Sequence, residues 1–280
     1  MITVVRAGPL TTVQDLGRPG YAHLGVPRSG ALDGPALRRA NALVGNAVGA
    51  AGLETTLMGC ALRFDAGAQV AVTGASAAVK VDRVPVEAPD QVIEVPAGAV
   101  LEVGRATRGV RSYVAVAGGI AVEPVLGSRS TDTLSGLGPP RLTDGGTLPI
   151  GDSSRAEDAI PAESAAAPGG AELVLGVWLG PRDDWFVAGE LFDSAYQVSP
   201  VSNRVGTRLS GAALTRTRAG ELPSEGVVLG AIQVPADGQP LIFLADHPTT
   251  GGYPVIGVVD DVTPLAQCRP GTSVRFRALH

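Results

Sequence analysis

Short apolar runs bounded by glycine, proline or aspartate recur along the whole chain, and they constrain its fold more than any other feature. Runs of four to eight residues have the length of buried strands and are too short for typical helices. Gly 38 and Pro 22 exceed a fifth of the 280 residues, which favours many strands joined by turns. We therefore predict a mainly β fold, with strands at Ile2–Val5, Ala61–Phe64, Gln69–Thr73, Val92–Val95, Val100–Val103, Ser112–Val116, Leu173–Leu179, Val227–Val234, Leu241–Ala245, Val255–Val259 and Ser273–Phe276.

One segment has a helical pattern instead. Asp33 precedes a stretch with apolar residues at Leu37, Ala40 and Val44, and Gly45 follows it. An aspartate cap and a terminal glycine are boundary signals of a helix. We predict a helix over residues 33–44 and a second, short helix near residues 183–186.

A tract rich in alanine, proline, glycine and serine interrupts the strand pattern at residues 152–171. This composition is typical of a linker. We predict an N-terminal β subdomain at residues 1–151 and a C-terminal β subdomain at residues 172–280.

The two predicted subdomains share a spacing of glycines ahead of strands. An offset of 171 positions places one glutamate and two glycines of the first part on those of the second: Glu54, Gly59 and Gly67 on Glu225, Gly230 and Gly238. Duplication would produce this spacing, and so would chance in a glycine-rich chain. The sequence leaves both explanations open.

Charge and residue usage argue against several classes of function. The formal net charge is −5, whereas nucleic-acid binding requires a basic face. Lys80 is the only lysine, so the chain has no P-loop motif. The spacing of His and Cys predicts no metal site, and Cys60 and Cys268 are expected to be free thiols. Without a membrane-length apolar run or a leader pattern, a cytoplasmic protein is expected.

The first two polar clusters suggest recognition of an anion. Arg28 and Ser29 lie between glycines just before the predicted helix, whose first N–H groups favour negative charge. In the second cluster hydroxyls surround an arginine, at Ser128, Arg129 and Thr131, and a guanidinium fork matches a planar carboxylate or phosphate. A capped loop and a polar hairpin turn are the structural alternatives.

Two further clusters lie in the second half of the chain. Arg204 and Arg208 flank a glycine that favours a strand, and Glu225 would orient one of them or act as a general base. Structural ion pairing is the alternative. The last cluster follows an apolar run and has Gln233 on the strand before it; it comprises Asp246, Thr249, Thr250, Gly251, Gly252 and Tyr253.

Long motifs in these clusters carry a family resemblance. They are T-T-V-Q-D-L-G-R-P-G-Y, G-V-P-R-S-G-A-L-D, L-E-T-T, L-G-S-R-S-T-D, N-R-V-G-x-R-L, S-E-G-V, G-A-I-Q-V-P and D-H-P-T-T-G-G-Y-P. In these motifs the chain resembles the family of 5-oxoprolinase C subunits, also called allophanate hydrolase subunit 2, which corresponds to the carboxyltransferase domain of urea carboxylases. The resemblance runs from Val4 to Phe276. It departs at Leu137–Gly146, which is compressed and carries an extra proline.

The resemblance implies a cyclophilin-like β-barrel fold in two related subdomains, and it implies partners. Such C subunits pair with a separate B subunit. Together with a lactam-opening A subunit, they look like an ATP-dependent 5-oxoprolinase that hydrolyses 5-oxoproline to glutamate. The related domain of urea carboxylase instead moves a carboxyl group from carboxybiotin to urea. A third alternative is a non-catalytic regulatory partner of a kinase inhibitor.

On the 5-oxoprolinase interpretation, the resemblance suggests a role for each cluster. Arg129, Arg204 and Arg208 would hold a carboxylate or a phosphorylated intermediate. Asp246 or Glu225 would transfer protons, and Tyr253 would close the pocket. Oxyanion charge would be stabilised by Ser128, Thr249, Thr250, Gly251 and Gly252.

The cofactor would come from outside this chain or be shared with its partner. No nucleotide motif is present, so ATP would bind in a cleft shared with the partner or on the partner itself. Lys80 has no biotinylation context, so any biotin would arrive on another chain. The expected ligand is a small anionic amide.

Overall fold

The computed structural model describes residues 1–87, 91–152, 172–220 and 222–280. Strands predominate in these ranges, which confirms the mainly β prediction. The predicted linker lies outside the described residues except for Asp152. None of the helices in the described ranges is both long enough and apolar enough to cross a membrane.

The chain divides into two compact units. The N-terminal unit comprises Met1–Arg18, Ser29–Asp132 and Gly136–Pro168, and the C-terminal unit comprises Pro19–Arg28, Thr133–Ser135 and Gly169–His280. Two short segments from the first half of the sequence therefore belong to the C-terminal unit. The subdomain boundaries inferred from composition alone stay a prediction.

The N-terminal unit is built on one nine-stranded sheet. Its main path runs β2-β3-β8-β4-β1-β9, and β5 pairs with β6, β7 and β8. Apolar side chains of these strands form the core, including Leu53, Leu62, Phe64 and Leu101. The strands are β1 (Ile2–Arg6), β2 (Thr11–Gln14), β3 (Gly52–Thr56), β4 (Ala61–Phe64), β5 (Ala68–Val81), β6 (Val84–Val86), β7 (Ile93–Val95), β8 (Val100–Val116) and β9 (Thr147–Leu148).

Helix α1 (Gly34–Leu43) packs against β5 and β8. An Asp33 Oδ1 atom accepts a hydrogen bond from the Ala36 N–H at 3.0 Å, as expected of an N-cap. Leu37 packs with Tyr113, and Ala40 packs with the small buried residues of the sheet. The predicted helix is confirmed.

The C-terminal unit contains a closed seven-stranded barrel in the order β10-β17-β14-β15-β12-β11-β18. The barrel closes through the parallel pair β10–β18. Its strands are β10 (Glu172–Leu179), β11 (Tyr196–Val198), β12 (Gly206–Ser210), β14 (Ala231–Gln233), β15 (Leu241–Phe243), β17 (Val255–Val259) and β18 (Ser273–Ala278). A separate ribbon joins β13 (Glu225–Gly226) to β16 (Thr250–Gly251).

Short helices complete the described part of this unit. Helix α2 spans Glu190–Asp193, and 3₁₀ helices span Ala22–Leu24, Asp183–Trp185 and Thr263–Gln267. The 3₁₀ helix at Asp183 confirms the short helix predicted near that position.

Three strand predictions were wrong in their extent. Val100–Val103 and Ser112–Val116 belong to one strand, β8, because it pairs with β5 along its length through three register shifts. The predicted strand Val227–Val234 is reduced to β14, because Gly230 has a φ of +82° and turns the chain before it.

The proposed duplication stays a prediction. In each unit a glycine with positive φ, Gly59 or Gly230, precedes the equivalent strand. The pairing of these strands differs, however, because β4 pairs with β1 and β8 whereas β14 pairs with β15 and β17.

Candidate functional site

The N-terminal unit gathers residues from three distant motifs into one polar cluster around Asp15. We call this the Asp15 cluster; it comprises Gln14, Asp15, Arg18, Ser29, Ser128, Arg129, Ser130 and Thr131. β2 delivers Gln14 and leads into Asp15, and the Thr131 N–H donates to the Val13 carbonyl at 2.9 Å. The loop after β8 is thus held alongside β2.

The Asp15 carboxylate organises this loop. Its Oδ1 atom accepts from the hydroxyls of Ser128 and Ser130, each at 2.6 Å, and from the Gly17 N–H at 2.7 Å. Its Oδ2 atom accepts from the Arg129 N–H at 2.6 Å. A carboxylate that receives this many short bonds fixes the surrounding backbone. The Ser128 hydroxyl, predicted to stabilise an oxyanion, is therefore already donating within the protein.

The backbone carbonyls of the same loop are bound by side chains from the first motif and from the segment before α1. The Arg18 Nη2 group donates to the Ser130 carbonyl, and Arg18 Nε donates to the Val125 carbonyl at 3.2 Å. Gln14 Nε2 and Ser29 Oγ both donate to the Thr131 carbonyl at 2.9 Å. The predicted residues Ser29, Ser128 and Thr131 therefore lie together.

Arg129 differs from its neighbours because the terminal amino groups of its guanidinium make no hydrogen bond to the described residues. Its Nε donates to the Val122 carbonyl at 2.6 Å, which fixes the orientation of the guanidinium. Among the described residues, its two terminal amino groups have no hydrogen-bond partner, and the side chain is half-buried. Arg129 can therefore present two N–H donors to a planar anion.

The helix end that was expected to attract an anion is occupied by the chain itself. Asp33 caps α1 and its own N–H donates to the Tyr113 hydroxyl at 2.8 Å. Arg28 is exposed and lies in a segment of the C-terminal unit. Ser29 directs its hydroxyl to Thr131 rather than to the helix.

A buried acid in β3 supports this region. The Glu54 carboxylate accepts from the Tyr113 hydroxyl at 2.7 Å and from the Leu32 N–H at 3.0 Å. Arg111 Nε on β8 lies 3.5 Å from Glu54 Oε1. Burial, followed by the charge of Glu54, raises the pKa of Tyr113 well above its usual value, so Tyr113 acts as a hydrogen-bond donor.

In the C-terminal unit, Arg204 and Asp246 form a buried ion pair. Arg204 Nε and Nη2 donate to the two carboxylate oxygens of Asp246, each at 2.9 Å. The Thr133 hydroxyl and N–H also donate to Asp246, at 2.7 and 3.0 Å. The exposed fractions of the Arg204 and Asp246 side chains are 1% and 0%.

This environment sets the charge state of Asp246. Burial alone raises the pKa of a carboxyl group, but the Arg204 charge and the hydrogen bonds from Arg204 and Thr133 outweigh it. The pKa of Asp246 is therefore lowered below its ordinary value of 3.8. An acid held this firmly in its ionised form is a poor proton carrier near neutral pH.

Glu225 forms a more accessible ion pair with Arg182. Arg182 Nε donates to Glu225 Oε2 at 3.2 Å, and its Nη2 donates to Oε1. About a third of each side chain is exposed. The hydrogen bond from Arg182 is the main cause that lowers the pKa of Glu225.

The last predicted motif lies beside Glu225. β13 and β16 pair Glu225 with Gly251, and the Val227 N–H donates to the Thr249 carbonyl at 3.0 Å. A Cβ atom at Gly251 would lie 2.5 Å from Gln233 Nε2, so a side chain there would require Gln233 to shift. Thr250, Gly252 and Tyr253 are exposed at the end of this ribbon.

Arg208, like Arg28, lies apart from the ion pairs of this unit. It is exposed on β12, where its N–H donates to the Ser202 hydroxyl at 3.1 Å. Arg204 precedes the strand and turns inward, so the two arginines do not act on one ligand side by side.

Sequence reasoning did not select six residues that shape these clusters: Gln14, Asp15, Arg18, Ser130, Thr133 and Arg182. The D-L-G-R motif contained a signal for two of them, because an acid and an arginine flank a glycine turn. Arg182 and Thr133 carried no local signal, because their partners lie 43 and 113 residues away in the chain.

Comparisons with known proteins give matches over nearly the whole chain. A sequence profile described as carboxyltransferase domain, subdomain A and B, matches residues 24–278. The C subunit of 5-oxoprolinase from Escherichia coli (strain K12) is 41% identical over 99% of this chain and 90% of that protein. The C subunit of 5-oxoprolinase from Haemophilus influenzae is 33% identical over 100% of this chain and 91% of that protein.

A solved structure is similar as well. The crystal structure of the Kluyveromyces lactis urea amidolyase superimposes with a TM-score of 0.91 at 31% identity and covers 100% of this chain. The present chain spans only 19% of the length of that amidolyase.

Proposed function

Because the chain belongs to the carboxyltransferase domain family, subdomains A and B, we propose that it is the C subunit of an ATP-dependent 5-oxoprolinase. The observation that carries this proposal is the 41% identity to the C subunit of a 5-oxoprolinase over nearly the whole of both chains. On this proposal the complex hydrolyses 5-oxoproline to glutamate, and the A and B subunits of that complex are the partners.

Arg129 is the proposed contact for an anionic group of the substrate. Its guanidinium is oriented by the Val122 carbonyl, and its terminal donors have no partner among the described residues. A carboxylate would accept both N–H groups, which is the preferred geometry of an arginine–carboxylate pair.

The two acids of the C-terminal unit have different proposed roles. Asp246 is a positioning residue that holds Arg204, because its oxygens receive donors from Arg204 and Thr133 and it is fully buried. Glu225 is the more accessible carboxylate and lies beside Gly251. We assign contact with the substrate to Glu225, as a hydrogen-bond acceptor that Arg182 holds in its ionised form.

ATP is proposed to bind on the partner subunits or in a cleft that they share with this chain. Lys80 is the only lysine of the chain and is exposed on β5, opposite Glu102 of β8. A lysine with an acidic neighbour and no glycine-rich loop does not make a phosphate site.

The test is reconstitution of the complex with the A and B subunits. We expect ATP-dependent release of glutamate from 5-oxoproline. Arg129→Gln should raise the KM for 5-oxoproline about tenfold or more, because a charge-assisted hydrogen bond is lost. The matched control is Arg63→Gln, since Arg63 is an exposed arginine of β4 in the same unit.

A second candidate function is transfer of a carboxyl group from carboxybiotin to urea or a related amide. The similarity to a urea amidolyase structure at a TM-score of 0.91 favours it. A wild-type complex that releases no glutamate would reject the first proposal. Carboxylation of urea by the chain, with a biotinylated partner, would then establish the second.

A further inference from the structure

Three side chains of the Asp15 cluster carry buried polar atoms that have no hydrogen-bond partner among the described residues. The atoms are Gln14 Oε1, Arg18 Nη1 and Thr131 Oγ1. The exposed fractions of these residues are 0%, 2% and 4%. Buried polar groups in native proteins are nearly always paired, so three exceptions in one cluster require an explanation.

The three side chains meet at the same two residues of the loop. Arg18 donates to the Ser130 carbonyl, Gln14 donates to the Thr131 carbonyl, and Thr131 is the third member itself. Gln14 is held through its Nε2 atom while its Oε1 atom makes no hydrogen bond to the described residues. Arg18 is likewise held through Nη2 while Nη1 makes none to them. The orientation of the Gln14 amide is determined, because only its nitrogen can donate to a carbonyl.

The unused atoms have complementary chemistry. Arg18 Nη1 can only donate, Gln14 Oε1 can only accept, and the Thr131 hydroxyl can do either. Arg18 also has no carboxylate partner among the described residues, since its hydrogen bonds go to two backbone carbonyls. A ligand that satisfies the set presents an acceptor oxygen next to an N–H donor, as an amide or a urea group does.

We propose that Gln14, Arg18 and Thr131 form a binding subsite for the amide group of a small substrate. The amide carbonyl accepts from Arg18, and the amide N–H donates to Gln14, with Thr131 as the third contact. This inference rests on the proposed function and deepens it, because it assigns the lactam group of 5-oxoproline to residues of this chain.

The subsite is closed in the present structure, and Gly138 closes it. A Cβ atom at Gly138 would lie 2.1 Å from the Ser130 carbonyl oxygen and 3.1 Å from Arg18 Nη2, and its φ is +82°. Only a residue without a side chain lets this half-buried segment pack so tightly on the cluster. Entry of the ligand therefore requires the segment around Gly138 to move.

The sharpest test is Thr131→Val. The change keeps the shape of the side chain and removes a hydroxyl that makes no bond within the described protein. The melting temperature of the full chain should therefore be unchanged or higher, whereas the KM of the reconstituted complex for 5-oxoproline should rise about tenfold. In the full chain, 5-oxoproline should raise the melting temperature of the wild type more than that of Thr131→Val.

Thr11→Val is the matched control. The Thr11 hydroxyl donates to the Ala7 carbonyl at 2.6 Å and lies 2.8 Å from the Thr55 hydroxyl, from which it can accept. This variant should lower the melting temperature and leave the KM unchanged. N-methylated 5-oxoproline, which lacks the N–H donor, should protect the wild type less than 5-oxoproline does.

The outcomes separate this inference from the proposed function. Normal turnover with an unchanged KM in Thr131→Val would overturn the subsite and leave the proposed function standing. A wild-type chain that 5-oxoproline does not protect would also overturn the subsite, whatever the complex does. Absence of wild-type turnover together with protection that Thr131→Val abolishes would support the subsite and reject the hydrolase.

Discussion

The buried pair Arg204–Asp246 gives the sharpest prediction on stability. We consider three variants: Arg204→Met, Asp246→Leu and the double variant. Both side chains are at most 1% exposed. Arg204→Met therefore leaves the Asp246 carboxylate buried without its arginine, and Asp246→Leu leaves the Arg204 guanidinium buried without its carboxylate. Removing one partner of such a pair costs about 3–5 kcal/mol.

The double variant should be much less destabilised than the sum of the single variants. Replacing both ions by apolar side chains of similar size is often nearly neutral. Here the Thr133 hydroxyl and N–H would also lose their acceptor, which adds about 1–3 kcal/mol. The double variant should therefore lose about 1–3 kcal/mol, and the coupling energy should be at least about 3 kcal/mol.

Urea denaturation followed by tryptophan fluorescence is a suitable assay. The chain has two tryptophans, Trp178 and Trp185, and both lie in the C-terminal unit. Their fluorescence therefore reports the unit that contains the pair. Arg208→Met is the control, because Arg208 is exposed on β12 and should change the free energy of unfolding by about 0.5 kcal/mol or less.

The stability that the Arg204–Asp246 pair contributes should decrease as the pH falls. The folded-state pKa of Asp246 is lowered below 3.8, so the pair contributes its full stability above that pH and loses it as the pH falls below 3.8. The stability gap between the wild type and the double variant should change only in this acidic range. Single variants that cost less than about 1 kcal/mol, or additive effects in the double variant, would refute the reasoning.

Two further predictions concern the N-terminal unit, with circular dichroism as the measurement because that unit has no tryptophan. Asp15→Asn should cost about 2–3 kcal/mol, since an amide cannot accept all four hydrogen bonds of the carboxylate; a cost under 1 kcal/mol would contradict the organising role of Asp15. Gly59→Ala should cost about 3 kcal/mol or more, because its Cβ would lie 2.1 Å from the Val103 carbonyl oxygen. Gly98→Ala, also at positive φ but with nothing within 4 Å, should cost only about 1–2 kcal/mol, and equal costs would refute the steric explanation.

The sequence predicted those helices and strands whose boundaries and burial depend on residues within a few positions of them. Asp33 and Gly45 bracket α1 because a cap and a terminal glycine act within a few residues. Strands such as β1 and β17 were found because continuous apolar runs reflect burial on both faces.

β2 was not predicted, and the reason is physical. Its residues Thr11–Gln14 are polar except for Val13, yet all four are buried. Their burial is stabilised by hydrogen bonds to the loop near Ser130, more than a hundred residues later. A pattern read over a short window cannot register partners at that distance.

The site predictions had the same limit, because the sequence shows residue types but not which polar atoms remain unused. Ser128 and Asp246 were selected for their chemistry, yet the hydrogen bonds of both are made within the protein. Arg129, Gln14 and Arg18 retain donors or acceptors that no described residue uses. Since a ligand binds through the groups that folding leaves unsatisfied, these three side chains are the better candidates for contact with a substrate. The same reasoning assigns Asp15 and Asp246 to holding arginines and loops in place.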